Sequence, residues 1–327
     1  VNRGTPEAGR PPSRARPDLR TGYLPGGAHG VADIASVLPF PAPPVFSSSM
    51  NDDFKQLTWP DLTSRPRPEP QAAIAYGDDP WQRVDLWLPD GPGPFPTVLM
   101  VHGGCWTTSI ADRTLMNWVA EDLRGAGLAV WNIDYRGIDR PGGGYPGTFR
   151  DAAAAADALR GYAPKYGLDL RRVVATGHSA GGHLALWLAG RRRLPHDSAL
   201  WCATPLPIAH VVACGALPDL EQVAASPDNG CGTDVVRDLV GSANGGRRDV
   251  YADTSVMRLL PIGVPQDLVY GLEDRIVPYR LATDYAAKAQ GEAVLHTVPD
   301  TGHVELVTPG TPAWTKTKDL IAAAFAR

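Results

Sequence analysis

Hydrophobic and polar positions follow two different periods along this chain, and the changes of period mark its elements. Residues 83–88, Arg83-Val84-Asp85-Leu86-Trp87-Leu88, alternate polar and apolar. That pattern predicts a half-buried antiparallel strand, closed by the turn Pro89-Asp90-Gly91-Pro92-Gly93. Residues 97–101 are an unbroken apolar run, the form taken by a strand whose two faces are both covered by helices. A helical period follows over 115–123, a second buried strand over 128–133, an alanine-rich helix over 149–162 and a strand over 172–176. Beyond a helix-forming stretch at 180–188 come strand 209–214, mixed signals over 217–262, strand 267–270, helix 279–289, strand 294–298 and a last helix over 314–325. Strands alternating with helices predict an α/β domain with a parallel sheet covered on both sides.

The first 49 residues have neither period. They carry Pro- and Arg-rich runs such as Arg10-Pro11-Pro12-Ser13-Arg14, which bury too little apolar surface to offset chain entropy, so residues 1–49 read as a disordered extension. A targeting peptide, or a reading frame that truly starts at Met50, are the alternatives. Residues 50–71 read as a linker or N-terminal arm, and folded structure is expected from about Ala72, giving one catalytic domain over 72–327 with 217–262 as a small cap segment. A net charge of -4 argues against a nucleic-acid partner, and no run approaches the roughly 18 apolar residues of a membrane span. The four cysteines, Cys105, Cys202, Cys214 and Cys231, are too scattered for a disulfide framework or a zinc spacing. Reduced thiols in a cytoplasmic protein are therefore expected, one bridge in an exported protein being the alternative. No cofactor or metal is called for.

One stretch carries chemistry. Gly177-His178-Ser179-Ala180-Gly181 lies between a β-branched strand and a helix-forming segment, the arrangement in which a serine sits on a strained turn with its hydroxyl exposed. A serine hydroxyl needs a base, and the base needs an acid. His303, in the turn after the last strand, and Asp274, in the turn after strand 267–270, both fall at the carboxyl edge of the sheet, in the order Ser, Asp, His. Of their neighbours, Glu273 is expected to face solvent, Asp300 to shape the histidine loop and Glu305 to lie beyond it. His178 is expected to point away from the nucleophile, His183 to pack, and His210 and His296 to be strand residues. His102-Gly103-Gly104-Cys105-Trp106 follows strand 97–101. There the amides of Gly103 and Gly104, with that of Ala180, could hold an oxyanion.

With these motifs quoted, the chain over about 72–325 resembles an α/β-hydrolase of the esterase/lipase group. His102-Gly103-Gly104-x-Trp106 together with Gly177-His178-Ser179-Ala180-Gly181-Gly182-His183 is similar to kynurenine formamidases and small carboxylesterases. The resemblance implies an eight-stranded, mostly parallel sheet with helices on both faces. It implies Ser179, Asp274 and His303 as triad and Gly103, Gly104 and Ala180 as oxyanion donors. Cys105, where related lipases carry a third glycine, points to the formamidase-like branch.

Cys105, Trp106 and His178 are the candidate pocket residues. Trp106 either lines the pocket or packs, and Cys105 reads as a small filler. Asp134-Tyr135-Arg136 is expected to tie the active-site loops by ion pairing. Tyr145-Pro146-Gly147 and residues 217–262 are expected to set specificity. The expected activity is metal-independent hydrolysis of short-chain or aryl carboxylic esters through an acyl-enzyme. An N-formyl-kynurenine formamidase is the alternative; a peptidase of the prolyl-oligopeptidase type and a non-catalytic binding module on the same scaffold are more remote. The only partner implied is a small ester or amide substrate, and the sequence is silent on oligomeric state.

Overall fold

The computed structural model describes residues 55–326; the extension at 1–49 and Met50 lie outside the described residues. Regular structure begins with α1 (Trp59–Thr63), which buries Leu62, and so starts ahead of Ala72. Five residues with a proline in the first turn are too few to give a periodic signal, which is why the pattern misses this element. There follow β1 (Ala72–Ala75), β2 (Arg83–Trp87), β3 (Phe95–Val101), α2 (Asn117–Gly125), β4 (Ala129–Ile133), α3 (Gly147–Tyr166), β5 (Leu168–His178) and α4 (Ala180–Gly190). The second half contains β6 (His210–Cys214), α5 (Leu220–Ala224), α6 (Thr233–Val240), α7 (Val256–Leu259), β7 (Gln266–Gly271), α8 (Arg280–Lys288), β8 (Ala293–Val298) and α9 (Pro312–Ala326).

The strands form one eight-stranded sheet in the order β1-β2-β4-β3-β5-β6-β7-β8. The pairs β1 with β2 and β2 with β4 are antiparallel and every other pair is parallel. The apolar runs are continuous because the pleat feeds two cores. On β3, Leu99 and Val101 join Trp131, Phe149, Leu184 and Trp187 on one face, while Val98 and Met100 meet Val119, Trp314 and Ile321 on the other.

β2 is antiparallel as expected but not half-buried. Its polar position Asp85 is buried too, because Arg113 reaches it with Nε at 2.9 Å from Oδ2. Register then sets the site: Val101 of β3 lies beside Gly177 of β5, His178 of β5 beside Cys214 of β6, and Cys214 beside Val269 of β7. The strand ends therefore finish in line, and the loops after β3, β5, β6, β7 and β8 rise from one edge. Among the described residues no helix is long and apolar enough to cross a membrane.

Candidate active site

Ser179 is the hinge between β5 and α4, with φ 55° and ψ -122°. A non-glycine residue at such an angle costs roughly 1–3 kcal/mol and persists only where its surroundings enforce it. Here the Ser179 N–H donates to the Cys214 carbonyl at 2.8 Å, and the first turn of α4 presses against the end of β3. A Cβ at Gly181 would fall 2.2 Å from the Val101 oxygen, so that approach admits only glycine. α4 is buried along its whole length, which anchors the turn from below.

Asp274 and His303 meet beside this turn. Asp274 Oδ1 accepts the backbone N–H groups of Ile276 and Val277 at 2.8 and 2.9 Å, and its Oδ2 lies 2.7 Å from His303 Nδ1. Since the carboxylate accepts, the proton sits on Nδ1 and leaves Nε2 free to act as a base. Gly215, directly after β6, links the two halves. It follows the Cys214 carbonyl that holds Ser179, and a Cβ on it would lie 3.3 Å from the His303 ring and 2.9 Å from Leu306. Ser179 and His303 are 2% and 8% exposed, so the centre is recessed.

Two carboxylates behave differently from the sequence expectation. Glu273 does not simply face solvent: its Oε2 accepts the Thr301 N–H at 2.8 Å. Glu305 does not lie beyond the histidine loop but accepts the Gly302 N–H at 3.1 Å. Both pin the backbone just before His303, Glu273 from 28 residues away and Glu305 from three, and neither shows as a motif because the partner is a backbone amide that any residue supplies. Asp300 turns the same loop with φ 49°.

Gly103 and Gly104 follow β3; Gly103 abuts the elbow, a Cβ on it falling 3.1 Å from that of Ser179, while Gly104 packs against Ala111. Their loop is held by His102, whose Nε2 lies 2.9 Å from Asp134 Oδ1 and whose carbonyl accepts the Tyr135 hydroxyl at 3.0 Å. Arg113 bridges Asp134 and Asp85, and Arg136 pairs with Asp151 on α3 at 2.7 Å. The loops after β3 and β4 are thus joined by the ion pairs expected at Asp134-Tyr135-Arg136.

The pocket candidates fare differently. Cys105 is not a reduced filler: it forms a disulfide with Cys231, 126 residues later, between α5 and α6. No local spacing encodes that pairing. It exists because the fold brings the two Cα atoms to 5.5 Å, and it ties the segment 217–262 to the glycine loop. Trp106 is fully buried and packs edge-on against His183 at 5.4 Å, so it is core. His183 packs as expected, with Nε2 2.8 Å from the Thr254 carbonyl, and burial pulls its pKa down to about 4. His178 faces the loop that carries His303. Its Nε2 lies 3.0 Å from the His303 carbonyl and the two rings are 4.2 Å apart. His210 and His296 are strand residues, both bonded to Asp267 at 2.7 Å.

A family model described as BD-FAE matches residues 84–288, more than half of the chain. The chain belongs to the BD-FAE family. The matched region of this BD-FAE member takes in Ser179 and Asp274 and ends before His303. The chain is 26% identical over 240 residues to Esterase LipC of Mycobacterium tuberculosis, covering 70% of this chain and 58% of that protein. It is 34% identical over 119 residues to Probable isoprenylcysteine alpha-carbonyl methylesterase ICMEL1 of Arabidopsis thaliana, covering 36% of this chain and 24% of that one. It therefore spans about a quarter of one curated relative and somewhat over half of the other. Among solved structures, esterase B from Lactobacillus Rhamnosis superposes with a TM-score of 0.65 at 21% identity, over 80% of this chain and 88% of that chain. A truncated carbohydrate esterase from gut microbiota gives 0.62 at 18%, over 80% and 99%. At such identities the likeness is one of fold, and the fold is that of the α/β-hydrolases.

Proposed function

We propose that this BD-FAE member hydrolyses carboxylic esters, with Ser179 as nucleophile, His303 as general base and Asp274 as the group that orients it. One observation carries the reading: a serine strained to φ 55° at the head of a buried helix shares Cys214-Gly215 as neighbour with a histidine whose Nδ1 is held by a buried carboxylate. His303 Nε2 takes the proton as Ser179 Oγ attacks the ester carbonyl. The amides of Gly103, Gly104 and Ala180 receive the oxyanion, each such donor contributing on the order of 10²–10³ in rate. His303 then returns the proton to the leaving alcohol, and a water molecule repeats the sequence to release the acid. A protonated imidazole cannot act as base, so turnover falls on acidification.

The esterase names of the relatives support an ester over a formamide substrate. Short acyl groups suit a nucleophile 2% exposed and a cap segment, 217–262, that is covalently fastened beside it. The disulfide favours an oxidising compartment over the cytoplasm. Turnover of p-nitrophenyl acetate well above that of p-nitrophenyl palmitate is expected, together with Ser179 labelling by a fluorophosphonate and loss of both in Ser179→Ala. Unchanged turnover in Ser179→Ala, or a preference for N-formyl-kynurenine over every ester, would overturn the reading.

A further inference from the structure

The segment ahead of the sheet reaches the loops that carry Asp274 and His303, and does so at three points. The Gln56 side-chain amide donates to the carbonyl of Glu273, the residue before Asp274. It also crosses Gly302, the residue before His303, so closely that a Cβ there would lie 3.0 Å from it. The Leu57 N–H donates to Glu305 Oε1 at 2.5 Å, while the other oxygen of that carboxylate holds the Gly302 N–H. Trp59, the first residue of α1, stands edge-on to two imidazoles, His178 at 6.0 Å and 76° and His303 at 6.4 Å and 88°.

His178 completes this group. A carbonyl only accepts, so the contact with the His303 oxygen places the ring proton on Nε2 and leaves Nδ1 as a buried acceptor with no partner. Burial, and after it the neighbouring His303, hold the His178 pKa well below the ordinary histidine range, so the ring is neutral. That matters electrostatically: a second cation with its ring centre 4.2 Å away would oppose the imidazolium that His303 becomes during proton transfer.

We propose that Trp59 and His178 are positioning residues for His303, and that residues 56–59 are therefore a working part of the site. The inference rests on the triad reading above. Asp274 fixes one nitrogen of the His303 ring but leaves it free to tilt about that bond. Gly215 bounds it on one side, and the Trp59 indole with the His178 ring bounds it on another. The His178 hydrogen bond fixes the His303 backbone, and Gln56 and Leu57 brace the peptides on which the ring depends. Misplacing a reacting group by an ångström can cost on the order of 10²-fold in rate, so loss of one bounding ring is expected to cost kcat about tenfold.

The test uses the full chain. Trp59→Ala should lower kcat on p-nitrophenyl acetate about tenfold with KM within about twofold, and shift the acid limb of the kcat/KM profile, while Trp59→Phe recovers most of the loss. His178→Leu should behave like Trp59→Ala, and His178→Gln, which restores a donor, should recover part. The low-field proton on His303 Nδ1, read by NMR, should exchange faster in Trp59→Ala and in Gln56→Ala, a milder variant that serves if the tryptophan change prevents folding. A folded Trp59→Ala with unchanged kcat, pH profile and Nδ1 proton would overturn the proposal, as would a change confined to KM. The proton signal reports ring placement without turnover, so it distinguishes this failure from failure of the triad, which Ser179→Ala and fluorophosphonate labelling report.

Discussion

An aspartate near the amino end of β7 and another just past its carboxyl end are each bonded to imidazole at 2.7 Å, yet only the second stands beside the strained serine turn. At the amino end, Asp267 is gripped by His210 from β6 and His296 from β8, three side chains on one face of the sheet. Past the carboxyl end, Asp274 holds His303 alone, and its remaining oxygen is occupied by backbone amides. Asp267 uses both carboxylate oxygens, each on the Nε2 of one imidazole, at the strand end opposite the strained turn. Asp274 fixes one nitrogen and frees the other. A short histidine–aspartate bond is thus only a fastening; the strand end from which it projects decides whether it has chemistry to serve.

The largest test of that contrast is Asp274→Asn, which should lower kcat by about 10³–10⁴ through the wrong His303 tautomer while the thermal midpoint moves little. Acid should separate the histidines next. His183 sits on α4 with no carboxylate partner and a folded pKa of about 4, below its unfolded value, so the folded state binds fewer protons. Its contribution is complete above the unfolded value and is lost as pH falls from about 6.5 to about 4, on the order of 3 kcal/mol in all. Urea midpoints should fall between pH 7 and pH 5, and His183→Asn should flatten that slope. The smallest effect expected is that of Asp267→Asn, about 2 kcal/mol of stability from weakened buried hydrogen bonds. Its esterase activity should stay within about threefold of the parent, since no interaction made in the transition state is removed. A loss comparable to that of Asp274→Asn would break the contrast between the two ends.

Much of this arrangement is legible in the residues because it depends on local chemistry. The unbroken run of β3 announces two covered faces, and Gly177 to Gly181 announces a tight strand-to-helix turn. Asp274 and His303 stand out because each follows an apolar strand within a few residues. What escapes the sequence depends on distant chain. Cys105 and Cys231 have no spacing relation, Asp85 looks solvent-facing until Arg113 arrives from another element, and Glu273 and Glu305 serve backbone amides that composition cannot name. α1 is too short to show a period, and the contact of His178 with the His303 carbonyl joins residues 125 apart in sequence.

The bond between Cys105 and Cys231 also has a topological consequence. It closes a covalent ring through the chain that contains β4, α3, β5, Ser179, α4 and β6, while Asp274 and His303 hang outside it on the carboxyl-terminal tail. A cut within the ring, for instance by chymotrypsin after the 40%-exposed Trp201, would leave the two fragments linked. They should migrate as one species until a reductant is added and as two afterwards, so the candidate nucleophile and its base part company only when sulfur does.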